Sequence, residues 1–483
     1  MAAAIPEPRS PLPPEESDLD SLRERIRAAT LRPEAEALGE MREALLPLKD
    51  TLEAARGRAI RWVEAAREQA RSRPLAESLL DQFPLDSRQG KALMSLAEAL
   101  LRTPDPGCAD RLIAERLAAL RGAGPGGADL TARVSIALLS AASRLLPAAS
   151  AAHGRSPRRT PLQAVVTPLV RGSLRRGMRM MGRAFIVGES IESALARGRR
   201  DRDLSLCSFD VLGEGARSEA DAQRYFASYG RAIDALGSQP AGSVYRRSGI
   251  SIKLSALEPR YALTQRRRVM ETLIPRMLTL ARQACSAGIG MTIDAEEADR
   301  LDLSLDIIEA LASDEATRGW SGLGLAVQAY GRRSPLVVDW VAELARSSRR
   351  RMCVRLVKGA YWDAEIKRAQ ERGLDSFPVY TSKAATDAGY LVCARRLFDS
   401  PDVIYPQFAT HNALTVAAVT AIAPDGAIYE FQRLHGMGEA LYRAVRARTP
   451  HFPPVRVYAP VGTHEELLPY LVRRLLENGA NTS

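Results

Sequence analysis

Two cations and two aromatic side chains lie close together in the segment RLVKGAYWD. Arg355 and Lys358 are three residues apart, Gly359 follows them, and Tyr361 and Trp362 add aromatic surface. A glycine lets the backbone come close to a ligand, and guanidinium and ammonium groups bind anions. The segment therefore suits a large anionic cofactor with a flat ring, while a well-packed turn between a strand and a helix would explain the same residues.

A second basic group lies near the end of the chain, where HEELLPYLVRRLLENG has the pattern of a helix. Glu477 lies one helical turn from Arg473 and Arg474, so it can hold both side chains in place. Guanidinium groups bind carboxylates through two parallel hydrogen bonds, which suits this pair to a substrate carboxylate. On an exposed helix the same residues would form a surface ion pair worth about 0.3–0.5 kcal/mol, and their position in the fold decides between the two.

Three further polar residues follow short apolar runs. If its run ends inside a pocket, Lys253 is expected either to meet an anionic group or to lose its proton. Asp294 opens the acidic segment DAEEAD, but no histidine is nearby, so an ion pair with a cation on a neighbouring strand is favoured over a metal site. His411, between Thr410 and Asn412, suits the start of a helix and an anion site there.

Eight short β-branched runs carry most of these residues, and helical patterns separate most neighbouring runs. The runs are 250–253, 291–294, 325–328, 352–355, 379–381, 403–405, 428–432 and 455–458. Strands that alternate with helices predict parallel βα units, and eight in a row predict an α/β fold with a closed (β/α)8 TIM-type barrel. The active site of such a barrel lies at the carboxyl ends of its strands. The segment SLCSFDVLGEGA, which contains Asp210, is predicted to be a loop before the first strand.

The chain of 483 residues is predicted to have four parts. Residues 1–20 are rich in proline and glutamate and are expected to be disordered. Residues 21–75 have amphipathic helical patterns with few aromatic side chains and are predicted to form a helical arm. Residues 76–185 are predicted to be an all-helical domain, and residues 186–483 are predicted to form the barrel.

The composition bounds the location and the partners of the chain. Its net charge of +11 is spread along arginine-rich stretches, which favours a solvated basic surface over a nucleic-acid site. Its five cysteines have no paired spacing, which indicates free thiols in a reducing cytoplasm. The amino terminus has no apolar signal region, and no apolar run is long enough to cross a bilayer. A cytoplasmic location is predicted, with peripheral contact at the inner face of the membrane left open.

Five segments of this chain closely resemble the proline dehydrogenase domain of the proline utilization A family. They are SIKLSALEPRY, RLVKGAYWDAEIKRAQ, YPQFATHNALTVAAV, YEFQRLHGMGE and YLVRRLLENGANTS, and the similarity is dense from Met181 to Ser483. The resemblance implies a barrel that binds FAD at the carboxyl ends of its strands. It further implies oxidation of L-proline to Δ1-pyrroline-5-carboxylate, the first step of proline catabolism to glutamate. A hydride would pass from proline C5 to flavin N5, and the electrons would pass to a membrane quinone.

The resemblance also implies roles for individual residues, without a metal. The implied catalytic and substrate-binding residues are Lys253, Asp294, Tyr361, Leu434, Tyr458, Arg473, Arg474 and Glu477. The implied cofactor-binding residues are Gln328, Arg355, Lys358, Gly359, Ala360, Tyr361, Trp362, Thr381, Lys383, Thr410, His411, Asn412, Gln432 and Glu477. Arg473 and Arg474 would grip the proline carboxylate, and Arg355 would lie near flavin N5.

Two features differ from the pattern of that family. Proline utilization A continues into an aldehyde dehydrogenase domain, which is expected to be absent here because the chain stops after the last predicted barrel helix. Some members carry an amino-terminal ribbon-helix-helix module that binds DNA. The proline-rich start and the helical arm leave no strand in the required place, so DNA is not expected as a partner.

The residues alone leave two other functions open. A Schiff-base lyase that uses Lys253 or Lys358 would be colourless, and borohydride would inhibit it in the presence of a carbonyl substrate. A non-catalytic protein whose basic surface binds DNA would have an affinity that weakens steeply with added salt.

Overall fold

A closed eight-stranded barrel is the centre of the computed structural model, which describes residues 18–70, 186–213 and 215–463. All neighbouring strands are parallel, and β1 pairs with β8 to close the sheet. The strands are β1 Cys207–Val211, β2 Gly249–Ile252, β3 Met291–Ile293, β4 Leu323–Gln328, β5 Met352–Val357, β6 Ile404–Ala409, β7 Glu430–Leu434 and β8 Val455–Val461. The predicted α/β barrel is confirmed.

Helices surround the barrel and also precede it. Three lie at the amino end, namely α1 Asp18–Ala28, α2 Glu34–Leu45 and α3 Lys49–Ala70. Helix α4 Ile191–Gly198 comes before β1. After β1 to β7 come α5 Glu219–Gly237, α6 Arg266–Ser286, α7 Leu301–Ala312, α8 Ser334–Ser347, α9 Trp362–Glu371, α10 Lys383–Phe398, α11 Ala413–Ile422 and α12 Glu439–Arg448, with α9 and α10 both following β5. None of the helices within the described ranges is long and apolar enough to cross a membrane.

One predicted strand and one predicted loop are wrong, although the predicted number of strands is right. The expected loop around Asp210 is β1, and the expected strand at 379–381 is a loop in which Val379 forms an isolated bridge to Gly331. Aspartate is disfavoured in strands, but Asp210 is fully buried and has an ion-pair partner inside the barrel. In the loop, Tyr380 packs between α2 and α10 instead of joining the sheet.

The amino-terminal helices lie against the barrel of the same chain. Ile26 of α1 and Trp62 of α3 are buried in one hydrophobic core with residues of the strands and the barrel helices. Arg23 of α1 donates a hydrogen bond to Asp306 of α7 at 2.7 Å. Helix α3 packs along α11 and α12. The domain boundaries stay predictions, since most of residues 1–20 and all of residues 76–185 lie outside the described ranges.

The interior of the barrel is polar along its axis. Arg355 on β5 donates hydrogen bonds to Ser208 on β1 and Ser251 on β2, at 2.8 and 2.9 Å. Because β5 is not adjacent to β1 or β2 in the sheet, these hydrogen bonds cross the interior of the barrel. Near the amino ends of the strands, Arg456 on β8 donates two hydrogen bonds to Glu430 on β7, at 2.7 and 3.0 Å. Buried polar groups cost free energy unless each finds a partner, so these side chains stabilise the barrel only as a connected set.

Glu430 is the centre of the lower part of this set. Its carboxylate is fully buried and also accepts hydrogen bonds from Tyr405, Gln407 and Gln432. Burial lowers the pKa of Arg456, but the Glu430 carboxylate more than offsets this and leaves that pKa above its ordinary value. The Arg456 guanidinium therefore stays charged, and the carboxylate of Glu430 balances its positive charge.

Replacing Glu430→Leu is expected to destabilise the protein strongly, because Arg456 becomes a buried cation without its carboxylate. Breaking a buried ion pair in this way costs about 3–5 kcal/mol of unfolding free energy, which urea denaturation can measure. The matched control is Glu271→Leu, which removes the partner of Arg267 in a pair whose side chains are 62% and 93% exposed. That control is expected to change stability by less than about 1 kcal/mol. Equal effects of the two substitutions would contradict the account.

Candidate active site

A cavity of about 480 Å³ opens at the carboxyl ends of the strands. Small-molecule sites in proteins have volumes of about 300–1,000 Å³. Residues on or directly after β2 to β8 line it, and α3 lines one side through Val63, Ala66 and Arg67. The predicted site residues that line it are Lys253, Asp294, Gln328, Arg355, Lys358, Ala360, Tyr361, Thr410, His411, Asn412, Gln432, Leu434 and Tyr458. The structure therefore brings together residues from seven strand ends.

Four charged side chains form what we call the charged floor, consisting of Asp210, Lys253, Asp294 and Arg355. Lys253 Nζ lies 2.6 Å from Asp210 Oδ1 and 3.4 Å from Asp294 Oδ2. Arg355 donates to Asp294 Oδ1 at 2.7 Å. The side chains of Asp210 and Arg355 are 0% and 3% exposed, and buried charges persist only when they are paired. Two cations and two carboxylates compensate each other here, and the predicted ion pair of Asp294 with a neighbouring cation is confirmed.

Tyr458 connects the charged floor to β8. Its hydroxyl donates to Asp294 Oδ2 at 2.7 Å and accepts from Lys253 Nζ at 3.4 Å. The guanidinium of Arg355 lies over its ring, 5.1 Å from the centroid, an arrangement worth about 0.5–2 kcal/mol. Tyr458 therefore orients a carboxylate with its hydroxyl and a cation with its ring.

The orientation of Arg355 is also set from below. Its Nε donates to Gln432 Oε1 at 2.7 Å, and Gln432 Nε2 donates to Glu430 Oε1 at 2.8 Å. Because the Glu430 carboxylate can only accept, it fixes which end of the Gln432 amide faces Arg355. With its bonds to Ser208, Ser251 and Asp294, the guanidinium is held on all sides.

Gln328 is held between two backbone groups at the end of β4. Its Nε2 donates to the Glu296 carbonyl at 2.8 Å, and its Oε1 accepts from the Ala360 amide at 3.2 Å. Glu296 belongs to the acidic segment DAEEAD, and its side chain accepts from the Ser255 amide and from Arg300. Burial raises the pKa of Glu296, and Arg300 opposes that rise. The Glu296 carboxylate thus has hydrogen-bond partners within the protein.

A cluster with excess positive charge borders the charged floor. Lys358, which lines the cavity, forms an ion pair with Asp387 of α10, and Lys383 Nζ lies 3.1 Å from the other carboxylate oxygen. Burial lowers the pKa of Lys358, and the hydrogen bond to Asp387 opposes that change. Two cations share one carboxylate, so the cluster has a surplus of one positive charge and attracts an anion.

The start of α11 also lines the cavity. Asn412 is its N-cap, since its Oδ1 accepts the Thr415 amide at 3.0 Å, and the predicted cap is confirmed. His411 Nε2 accepts the Leu434 amide at 3.0 Å, so the neutral ring has its proton on Nδ1. A helix amino terminus with a histidine donor next to it suits a phosphate group.

Four of the predicted cofactor residues lie beside the cavity rather than in its lining: Gly359, Trp362, Thr381 and Lys383. Trp362 Nε1 donates to the Tyr380 carbonyl at 2.8 Å and so supports the loop that contains Thr381. Gly359 has φ of +139°, and a Cβ there would lie 2.4 Å from the Tyr330 ring. That glycine is therefore required by packing, whereas the sequence suggested close approach to a ligand.

Three predicted substrate residues, Arg473, Arg474 and Glu477, lie outside the described residues. The roles of all the predicted site residues stay predictions. Two residues that hold the site together, Asp210 and Glu430, were not among the predicted site residues. Asp210 was expected in a loop, and Glu430 was treated only as part of a strand. The available signal was a charged residue alternating with apolar neighbours inside a short run, which is typical of a strand with a polar inner face.

Cysteine chemistry is not supported at this site. Burial raises the pKa of Cys207, Cys353 and Cys393 to about 12 in each case. A thiol must lose its proton to act as a nucleophile. These three residues therefore serve the packing of the barrel.

Comparison with known families gives two matches. A family model described as "Proline dehydrogenase" matches residues 194–483, and one described as "DNA-binding domain of Proline dehydrogenase" matches residues 75–185. The Bifunctional protein PutA of Escherichia coli (strain K12) is 45% identical over 475 residues, which are 95% of this chain and 36% of that protein. Proline dehydrogenase 1 of Bacillus subtilis (strain 168) is 27% identical over 312 residues, which are 64% of this chain and 90% of that protein.

Solved structures of similar proteins have the same architecture. A variant of Bradyrhizobium japonicum Proline Utilization A (PutA) superimposes with a TM-score of 0.67 at 44% identity, over 99% of this chain and 46% of that chain. PutA from Bdellovibrio bacteriovorus, inactivated by N-propargylglycine, superimposes with a TM-score of 0.67 at 26% identity, over 90% of this chain and 42% of that chain. This chain therefore spans less than half of the length of these PutA proteins.

His435, next to the cavity residue Leu434, is buried without a hydrogen-bond partner for either ring nitrogen. Burial, together with Arg197 and Arg433, lowers the pKa of His435 to about 3. The unfolded chain binds a proton at this residue near pH 6.5, whereas the folded protein does so only near pH 3. The folded state is therefore penalised as the pH falls below about 6.5.

Replacing His435→Leu is expected to make the free energy of unfolding less dependent on pH. Between pH 7 and pH 5 the natural protein should lose about 2 kcal/mol of stability through His435, and the variant should not lose that part. Urea denaturation at the two pH values measures the difference. The matched control is His451→Asn, which replaces an exposed histidine, and its profile is compared with that of the His435→Leu variant. Parallel pH profiles for the natural protein and the His435→Leu variant would refute the prediction.

Proposed function

The chain belongs to the proline dehydrogenase family, and from this premise we propose that it oxidises L-proline to Δ1-pyrroline-5-carboxylate with FAD bound at the mouth of the barrel. The electrons would pass to a quinone, at the inner face of the cytoplasmic membrane. The observation that carries the proposal is the meeting of predicted residues from seven strand ends in one cavity. The activity of the PutA relatives is that of longer proteins, so the substrate and the partners belong to the proposal as well.

The residues present fit a flavin dinucleotide in two ways. The cluster of Lys358, Lys383 and Asp387 has a surplus positive charge, and the amino terminus of α11 lines the same cavity as Lys358, which suits a diphosphate. Arg355, Gln328 and the other polar side chains that line the cavity suit the polar edge of a flat ring system. When bound, the flavin supplies the acceptor for the hydride of proline C5.

The charged floor provides position rather than a reactive group. Arg355 is fixed by Asp294, Gln432 and two serines, so a cation is preorganised where negative charge would develop on the cofactor. Tyr458 and Leu434 present side chains to the same space, which suits them to hold a pyrrolidine ring in a fixed orientation.

The charge balance supports a separate anchor for the substrate carboxylate. Both cations of the charged floor are already compensated by the carboxylates of Asp210 and Asp294. An added carboxylate is bound best by further cations, and planar guanidinium groups bind it through two hydrogen bonds. We therefore assign this role to Arg473 and Arg474, with Glu477 as their support.

The Schiff-base alternative is less well supported. A lysine that attacks a carbonyl must be neutral, and a low-dielectric pocket with no carboxylate favours that state. Lys253 instead lies between two carboxylates, and Lys358 is paired with Asp387. The two carboxylates favour the charged form of Lys253. Burial lowers the pKa of Lys358, but its ion pair with Asp387 opposes that change, so both lysines suit binding better than nucleophilic attack.

DNA binding stays a question for the part of the chain outside the described residues. The family model that matches residues 75–185 is named for DNA binding, whereas the sequence led to the expectation that DNA is not a partner. We keep that expectation, since the net charge is spread along the chain. A DNA affinity that falls steeply between 50 and 200 mM salt would overturn it.

Replacing Arg473→Met or Arg474→Met is expected to lower kcat/KM for L-proline by about 30-fold or more, since loss of one partner of a buried charge pair costs about 2 kcal/mol or more. The content of bound FAD should stay the same, because these residues are assigned to the substrate. The assay measures proline-dependent quinone reduction together with the flavin spectrum.

The matched control is Arg448→Met on the exposed last turn of α12, which should leave both quantities unchanged. Unchanged proline kinetics in the Arg473→Met and Arg474→Met variants would remove the carboxylate anchor from the proposal.

A further inference from the structure

Glu34, the first residue of α2 in the amino-terminal arm, holds the loop before α10. Its Oε1 accepts the backbone amide of Thr381 at 2.9 Å. Its Oε2 accepts the Thr381 hydroxyl at 2.9 Å and the guanidinium of Arg332 at 3.0 Å. One carboxylate from the arm thus receives three hydrogen bonds from the barrel, 298 to 347 residues away in the chain.

Arg332 makes this contact rigid. Its side chain is 2% exposed and also donates to the Arg32 carbonyl at 2.7 Å and to the Ser376 hydroxyl. Its own backbone amide donates to the Pro378 carbonyl at 3.2 Å. Arg332 therefore binds both ends of the joint, the start of α2 and the loop that leads to Thr381. A hydrogen bond between ionised groups is about twice as strong as one between neutral groups.

Apolar packing holds the same joint from the other side. Ala37 and Met41 of α2 form a buried cluster with Tyr380 of the loop and with Ala385 and Val392 of α10. Burial of apolar surface is worth about 25 cal/mol per Å². The arm therefore contacts the loop through a buried apolar cluster and through the ion pair of Glu34 with Arg332, rather than through a single surface contact.

The loop leads directly to residues assigned to the cofactor. The Tyr380 carbonyl accepts from Trp362 at 2.8 Å, and Lys383, two residues after Thr381, shares Asp387 with the cavity residue Lys358. The arm also reaches the cavity itself, through Val63, Ala66 and Arg67 of α3.

We propose that Glu34 of the amino-terminal arm is a positioning residue for FAD, acting through Thr381 and the loop at 378–383. This inference rests on the proposed binding of FAD by the barrel. It assigns a task to the arm, which is to hold the loop at 378–383 in the conformation that binds the cofactor. Because the Thr381 hydroxyl gives its proton to Glu34, its oxygen offers only lone pairs to the cofactor. That polarity suits a ribose hydroxyl or an adenine amino group and not a phosphate oxygen.

The test compares the natural protein with Glu34→Gln and Glu34→Ala in two measurements. The first is hydrogen exchange of the peptide that contains Thr381 in FAD-free protein. It should become faster in the Glu34→Ala variant, in which the Thr381 amide loses its acceptor, and less so in the Glu34→Gln variant, which keeps one acceptor oxygen. The second is the dissociation constant of FAD, which should rise about tenfold or more, equivalent to about 1.4 kcal/mol. At saturating FAD, the kcat of both variants for proline should equal that of the natural protein, since Glu34 does not touch the substrate site.

The matched control is Glu40→Gln on the same helix, whose carboxylate pairs with Arg32 and is 65% exposed. It should change neither measurement. Hydrogen exchange at Thr381 that is unaffected by Glu34→Ala overturns the proposal, and so does faster exchange with an unchanged FAD dissociation constant. If the natural protein binds no FAD, the proposed function itself fails, and the hydrogen-exchange result still decides whether the arm holds the loop.

Discussion

The ion pair between Lys253 and Asp210 joins β1 and β2 inside the barrel and begins a continuous series of matched charges. Asp294 links Lys253 to Arg355, and Gln432 links Arg355 to the buried pair of Glu430 and Arg456. The low-dielectric interior tolerates charges only in such compensated sets. Strand order, closure of the sheet and the shape of the cavity all depend on this condition, since the partners come from β1, β2, β3, β5, β7 and β8.

Charge compensation also divides the site into regions with different tasks. The charged floor is neutral in sum, so it orients groups without acting as a strong anion site. The surplus positive charge lies to one side, where Lys358 and Lys383 share Asp387. On the proposed function, a dinucleotide with a diphosphate and a small amino acid would therefore have separate places in the cavity. The amino-terminal arm adds a third element, because Glu34 holds the loop at 378–383, which leads to Lys383.

Much of this arrangement was predictable from the sequence, and the exceptions have physical causes. The barrel and the residues at its strand ends follow from alternating strands and helices and from the polar residue at the end of most of the apolar runs. Asp210 was misplaced because an aspartate argues against a strand until its partner, Lys253, is known, and that partner is distant in sequence. The segment at 379–381 has strand-forming residues, but Tyr380 is packed by the arm, a tertiary contact that no local pattern contains. The contacts of Glu34 could not be predicted for the same reason, since its partners are 298 to 347 residues away in the sequence.

The most direct test of the account is an anaerobic titration of the purified, FAD-supplied protein with L-proline, followed by its visible flavin absorbance. FAD is expected to bind, proline is expected to bleach its absorbance with formation of Δ1-pyrroline-5-carboxylate, and a quinone is expected to restore it. A protein that binds FAD but keeps its absorbance in excess proline, or that binds no FAD, would contradict the central claim that this barrel is a flavin-dependent proline dehydrogenase.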